Sequence, residues 1–171
     1  DANSCWYEAR LKCPEYDVAG MAYVGMPALM FGRTPRVGWS ITNNICSLRD
    51  LYQETASSEH PGSFLFDGEW LEATTRTEKI QVKGQDDHIE TVTLSHNGPI
   101  VDSILPEAAR HTGPVSIRWV GMSGGGWLTS LLQMNRATNV AELHEAMRPW
   151  HVPTLCVVSG DSEGNIGLKA T

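Results

Sequence analysis

The segment RWVGMSGGGW, residues 118–127, carries Gly121-x-Ser123-x-Gly125. This is the spacing of a nucleophile elbow, in which a serine on a sharp strand-to-helix turn attacks an ester or amide carbonyl. That chemistry needs a carboxylate and then a histidine later in the chain, carried by further strands. The stretch after Ser123 is too short for those units, and His144 and His151 fall in or beside an expected helix. A Gly-rich loop between strand and helix is the simpler reading, and an esterase using Ser123 stands as an alternative.

Other residues with chemical potential are weaker. His96, just before NGPIV, has the type of a general base, but a lone His in a strand-turn setting is more often a hydrogen-bonded turn residue. Asp86, Asp87 and His88 sit at an expected hairpin tip and read as a solvated loop. Asp161 and Glu163 resemble part of a calcium loop, without the further acidic ligands at alternate positions that such a loop needs. Cys5, Cys13, Cys46 and Cys156 have no C-x-x-C spacing, which argues against zinc, and isolated buried thiols are expected. The tryptophans are too scattered for a base-stacking platform.

These residues must be held by some framework. The chain has 171 residues, 41% of them hydrophobic and 19% charged, with six Trp, which suits one packed domain over residues 1–171. A formal charge of −7 without clustered Lys and Arg argues against a nucleic-acid surface, so no nucleic-acid partner is expected. No apolar run reaches the length of a membrane span, so no membrane partner is expected either. The start DANSCWYEAR lacks an initiator Met and any targeting pattern, and reads as a processed or excised chain.

YDVAGMAYVG, ALMFG, RVGWSIT and DLYQET read as strands separated by Gly and Pro. Asp67-Gly68 marks a hairpin in HPGSFLFDGEWLEA. EKIQVKGQDDHIETVTLS reads as a second, with Ile80 and Val82 answering Ile89, Val92 and Leu94 across a loop at 84–88. After the strand VSIRWV the apolar period changes from two to about 3.6. Trp127, Leu128, Leu131, Leu132 and Met134 suit one helix, and NVAELHEAMRPW a second, with Asn139 and Glu142 as a capping-box-like start and Pro149 at its end. PTLCVVSGDSEGNIGL closes as a hairpin. The expected class is α+β: antiparallel sheet with two helices.

The order of CPEYDVAGMAYVGMPALMFGRTPRVGWSITNN, RDLYQE, HPGSFLFDGEW, SHNGPIV and GDSEGNIG resembles the β-chain of the penicillin acylase family. These are N-terminal-nucleophile (Ntn) amidohydrolases acting on penicillins, cephalosporins or acyl-homoserine lactones. The resemblance implies an αββα sandwich, and amide hydrolysis by a Ser that becomes the first β-chain residue, its own α-amino group serving as base. Asp1 is not such a nucleophile, and the family's catalytic Asn would fall beyond Thr171. The resemblance therefore implies an internal piece of the β-chain, inactive alone, whose partners are the remainder of the parent acylase and an N-acylated small molecule.

By the same match, the backbone N–H of Asn43 is implied as an oxyanion-hole donor, a role that does not depend on its side chain. Phe31, Ile41, Leu131 and Leu155 are implied in the wall of the acyl pocket. Asp50 corresponds to a carboxylate of the family's structural calcium, but Ser47 replaces another ligand, so no cofactor is expected here and calcium only in the intact parent. The implied location is periplasmic or secreted. A third reading is a non-catalytic, β-rich domain that binds an acyl ligand. An exposed pocket wall would favour self-association.

Overall fold

A computed structural model describes residues 4–107 and 113–171. It has twelve strands and two α-helices: β1 Trp6–Cys13, β2 Tyr16–Tyr23, β3 Phe31–Arg33, β4 Val37–Asn43, β5 Arg49–Gln53, β6 Ser63–Phe66, β7 Glu69–Glu72, β8 Thr74–Ile80, β9 His88–Leu94, β10 Val115–Trp119, α1 Trp127–Met134, α2 Val140–Ala146, β11 Leu155–Asp161 and β12 Ile166–Ala170. All pairings are antiparallel. This is the α+β class expected. The residues fall into two compact units, one from the chain up to Cys46 together with Val120–Thr171, the other Ser47–Trp119. No helix among the described residues is long and apolar enough to cross a membrane.

The first unit holds a six-stranded sheet in the order β1-β2-β3-β4-β11-β12. Strand side chains alternate between faces, and the alternation decides what the sheet buries. Val37 and Trp39 of β4 and Leu155 and Val157 of β11 are buried in one cluster with Leu131 and Met134 of α1 and Leu143 and Ala146 of α2. The helices therefore cover this face. On the other face Val158 is 53% exposed and Leu168 69%.

The sequence marked α2 well. Asn139 accepts a hydrogen bond from the Glu142 N–H at 2.8 Å, while the Glu142 carboxylate reaches back to the N–H and hydroxyl of Thr138, both 2.8 Å. Helix α1 ends on a feature that composition does not show. The fully buried Asn135 accepts from the Leu29 N–H (2.8 Å) and donates to the Leu29 and Leu131 carbonyls (2.9 Å each). One side chain thus satisfies both polar groups of Leu29, which lies outside any strand, and one at the helix end.

One expectation needs correction here. The apolar run ALMFG is a strand only from Phe31 onward; Ala28, Leu29 and Met30 are buried in an irregular segment held by Asn135 and by the Trp39 indole, which donates to the Met30 carbonyl at 2.8 Å. The strand-rich stretch also begins earlier than YDVAGMAYVG: β1, WYEARLKC, precedes it and pairs with β2 along its whole length.

In the second unit β5 pairs with β10, β6 with β7 through the Asp67-Gly68 turn, and β8 with β9. Asp67 and Gly68 have φ of 51° and 84°, the left-handed values such a turn needs. The β8–β9 register differs from the expected one: Ile80 pairs with His88 and Lys79 with Ile89, and Val82 lies in the loop. Both faces of this hairpin are largely exposed, so no burial contrast fixed its register.

Candidate active site at the end of β4

Asn43 is the last residue of β4 and pairs with Leu155, the first of β11. The next pair, Asn44 with Thr154, is hydrogen-bonded: the Asn44 N–H donates to the Thr154 carbonyl at 3.1 Å. Hydrogen-bonded and non-bonded pairs alternate along an antiparallel ladder. Asn43 and Leu155 are therefore a non-bonded pair, and each turns its N–H away from the other. Leu155 confirms the geometry, because its N–H donates to the Thr171 hydroxyl and its carbonyl accepts from the Thr171 N–H, both at 2.9 Å. The Asn43 N–H points the opposite way, to the side where β3 lies. There β3 pairs with β4 only at Gly38 and Trp39, well short of Asn43. Asn43 is exposed. The strand end thus presents an outward backbone donor with no ladder partner among the described residues.

The expected pocket residues divide about this strand. Gly32 pairs with Trp39, so Phe31 projects to the face opposite Trp39, whereas Ile41, two residues beyond Trp39, shares its face. Phe31 meets the Trp6 ring at 4.6 Å, and Trp6 stacks on Tyr23 at 3.7 Å. Ile41 is half-buried against the cluster that contains Leu131 and Leu155. Leu131 is 0% exposed and Leu155 4%, so both are core residues of that cluster in this chain.

Ser123 is not at an elbow. Its hydroxyl is exposed and donates to the Val120 carbonyl at 3.3 Å, within a 3-10 turn over Val120–Met122. Asp67 alone among the described non-Gly residues has positive φ, so Ser123 lacks the strained turn that exposes such a nucleophile. The sheet beside it is antiparallel, and His144 bonds elsewhere, to the Ser159 hydroxyl at 3.3 Å. Burial, helped by the charge of Lys169, pushes the His144 pKa below its ordinary value. The esterase reading falls with this geometry.

Asp161 organises the final turn: Oδ1 accepts from the Glu163 and Asn165 N–H groups, both 3.0 Å, and Oδ2 from the Val140 N–H at 3.1 Å. The last of these bonds ties the turn to the start of α2. Asp87 pairs with Lys79 and His88 with Glu90, as an exposed hairpin would. His96 is exposed and packs on Phe66, ring centroids 3.8 Å apart. All four cysteines are free thiols, but Cys5, Cys13 and Cys46 are exposed rather than buried. Asp50 lies exposed on β5 opposite Arg118. Among the described residues there is no group of three or more His, Cys, Asp or Glu that could hold a metal ion.

The second unit contains one charged group that sequence reasoning missed. Glu54, 6% exposed, accepts on a single oxygen from the Ser95 hydroxyl (2.5 Å), the Ser116 hydroxyl (2.6 Å) and the Asn97 amide (3.2 Å). Burial pushes its pKa up, but the three hydrogen bonds, with His96 nearby, outweigh burial and hold it below the ordinary value. Its only sequence signal is its place in RDLYQE, a segment that also counted toward the family resemblance.

The penicillin amidase family model matches residues 1–171. The chain belongs to the penicillin amidase family. Among its relatives, an acyl-homoserine lactone acylase, QuiP, of Pseudomonas fluorescens is 28% identical over 97% of this chain and 20% of its own length. A penicillin G acylase of Escherichia coli is 32% identical over 91% of this chain and 18% of its own. The structure of a thermostable penicillin G acylase from Alcaligenes faecalis superposes with a TM-score of 0.78 at 24% identity, covering 99% of this chain and 30% of that one, and shows the shared fold. This penicillin amidase family chain thus spans about a fifth of the length of these curated relatives.

Proposed function

We propose that this chain is part of an Ntn amidohydrolase that hydrolyses the amide bond of an N-acylated small molecule, and that the Asn43 N–H is one of its oxyanion donors. The observation that carries the reading is the direction of that N–H, turned away from β11 at a strand end that β3 does not reach. Attack on an amide carbonyl places negative charge on its oxygen, and a fixed backbone donor stabilises that charge without reorganising. Backbone rather than side chain does the work, so an Asn is as suitable here as a smaller residue.

Ile41, packed against the cluster that contains Leu131 and Leu155, and Phe31, on the opposite face at the start of β3, supply apolar surface on either side of this strand end for the acyl group. The relatives, an acyl-homoserine lactone acylase and a penicillin G acylase, make an acyl-homoserine lactone or a penicillin the first substrates to try. The nucleophile is supplied by chain outside these residues, and this chain alone is inactive. An exported location, periplasmic or secreted, goes with the reading, and any calcium is held with ligands from the rest of the parent.

The test is kinetic. In the intact acylase Asn43→Ala keeps the N–H and Asn43→Pro removes it. With thermal unfolding unchanged in both, the Ala variant keeps near-normal kcat and the Pro variant loses about 10²–10³-fold, the cost of one oxyanion donor. A folded Pro variant with full kcat contradicts the assignment.

A further inference from the structure

We propose that Thr154 is a positioning residue for the Asn43 donor, acting through Asn44; the inference rests on the reading of Asn43 given above. An oxyanion donor has to be held to within a fraction of an ångström, yet strand ends fray. Beyond Asn43 the β4–β11 ladder has only the Asn44–Thr154 pair before the chain departs, and Ile45 is 95% exposed. The Asn43 N–H lies on the Thr42–Asn43 peptide, one step inside that last pair, so whatever closes the pair keeps fraying from reaching the donor.

The pair is closed from both sides. Asn44 donates its N–H to the Thr154 carbonyl at 3.1 Å, and the return bond to the Asn44 carbonyl comes from the Thr154 hydroxyl at 2.5 Å. The Asn44 side chain also donates to the Thr171 carbonyl at 3.2 Å, and Thr171 is tied to Leu155 by the two 2.9 Å bonds described above. Asn44 is thereby anchored to the start of β11 and to the residue that follows β12. Thr154 is placed in turn by its predecessor: the indole of Trp150, itself 3% exposed, donates to the Pro153 carbonyl at 2.7 Å. The Thr154 oxygen also accepts from the Cys46 thiol at 3.5 Å, which brings in the chain just after the strand end. A single hydroxyl therefore joins the departing end of β4 to a loop fixed in the core, next to the proposed donor.

The intact acylase is assayed on N-hexanoyl-homoserine lactone, or on benzylpenicillin if the lactone is not turned over. Thr154→Val removes the hydroxyl at nearly constant volume, and Thr154→Ser retains it. The expected result is a kcat lower by about tenfold in the Val variant with KM within twofold, and kcat restored in the Ser variant, because misplacement of a donor costs rate and not binding. A purely structural role predicts lower thermal stability in Thr154→Val with unchanged kcat at low temperature, and that outcome overturns the proposal. If Thr154→Val does not fold, Asn44→Ala, which cuts the tether to Thr171, takes its place: reduced kcat at constant KM supports the clamp, and unchanged kcat overturns it. Full kcat in a folded Asn43→Pro variant removes the donor reading and the clamp together. Loss in Asn43→Pro with none in Thr154→Val leaves the donor and removes only the clamp.

Discussion

Ser116 of β10 donates a 2.6 Å hydrogen bond to Glu54, the residue that follows β5, and so joins the two strands through a buried carboxylate. Ser95 and Asn97 converge on the same oxygen from the SHNGP turn. Glu54→Ala leaves three donors without their acceptor, and the expected loss of stability is about 2–4 kcal/mol by urea unfolding at pH 7. A loss under about 0.5 kcal/mol, within the range of an ordinary surface change, counts against a structural role for the cluster.

The same group gives the chain a pH dependence. Because the folded pKa of Glu54 lies below its ordinary value, the unfolded state binds the proton first as pH falls. Its stabilisation is complete above the unfolded carboxylate range and is lost as pH drops through the folded pKa. Acid titration of stability should show a shallower slope in Glu54→Gln than in the unsubstituted chain below about pH 4.3, the ordinary pKa of a Glu side chain. Parallel slopes would mean that Glu54 does not carry the acid sensitivity.

A second buried polar residue is testable in the other unit. Asn135→Ala deprives Leu29 of partners for both its N–H and its carbonyl in the core. The expected cost is about 2–4 kcal/mol in urea unfolding, as for other broken buried networks. A near-neutral result would show that the segment before β3 relaxes and finds other partners.

How much of this was legible varied with burial. β4 and β11 read correctly because one face is packed under helices, so Val37, Trp39, Leu155 and Val157 alternate with residues of the other face. Asn139 and Asp67-Gly68 read correctly because capping and tight turns demand particular residue types. The β8–β9 register did not, since a hairpin largely exposed on both faces carries no burial contrast to fix it. Glu54 and Asn135 are single polar letters whose burial depends on partners far along the chain, such as Ser116 and Leu29. The separation of Phe31 and Ile41 onto opposite faces follows from the Gly32–Trp39 pair, a relation between strands that a linear reading lacks.

The uncovered face of the six-stranded sheet makes a prediction about the isolated chain. Val158, Ile166 and Leu168 are 53%, 88% and 69% exposed on β11 and β12, and Val158 pairs with Leu168. Apolar side chains grouped on a surface favour association. Light scattering of the isolated chain should find dimers or larger species, with Leu168→Lys shifting them toward monomer. A monomer at high concentration before any substitution would show that this face does not drive self-association.

The central claim is that the Asn43 N–H faces the reacting oxygen, and a crystal structure of the intact acylase carrying a tetrahedral acyl-boronate or phosphonate adduct measures it directly. The account predicts the adduct's anionic oxygen about 2.7–3.1 Å from the Asn43 nitrogen, the distance of an oxyanion-hole donor. An adduct whose oxygen is held by other donors, with the Asn43 nitrogen beyond about 3.5 Å, where a hydrogen bond no longer forms, would contradict it.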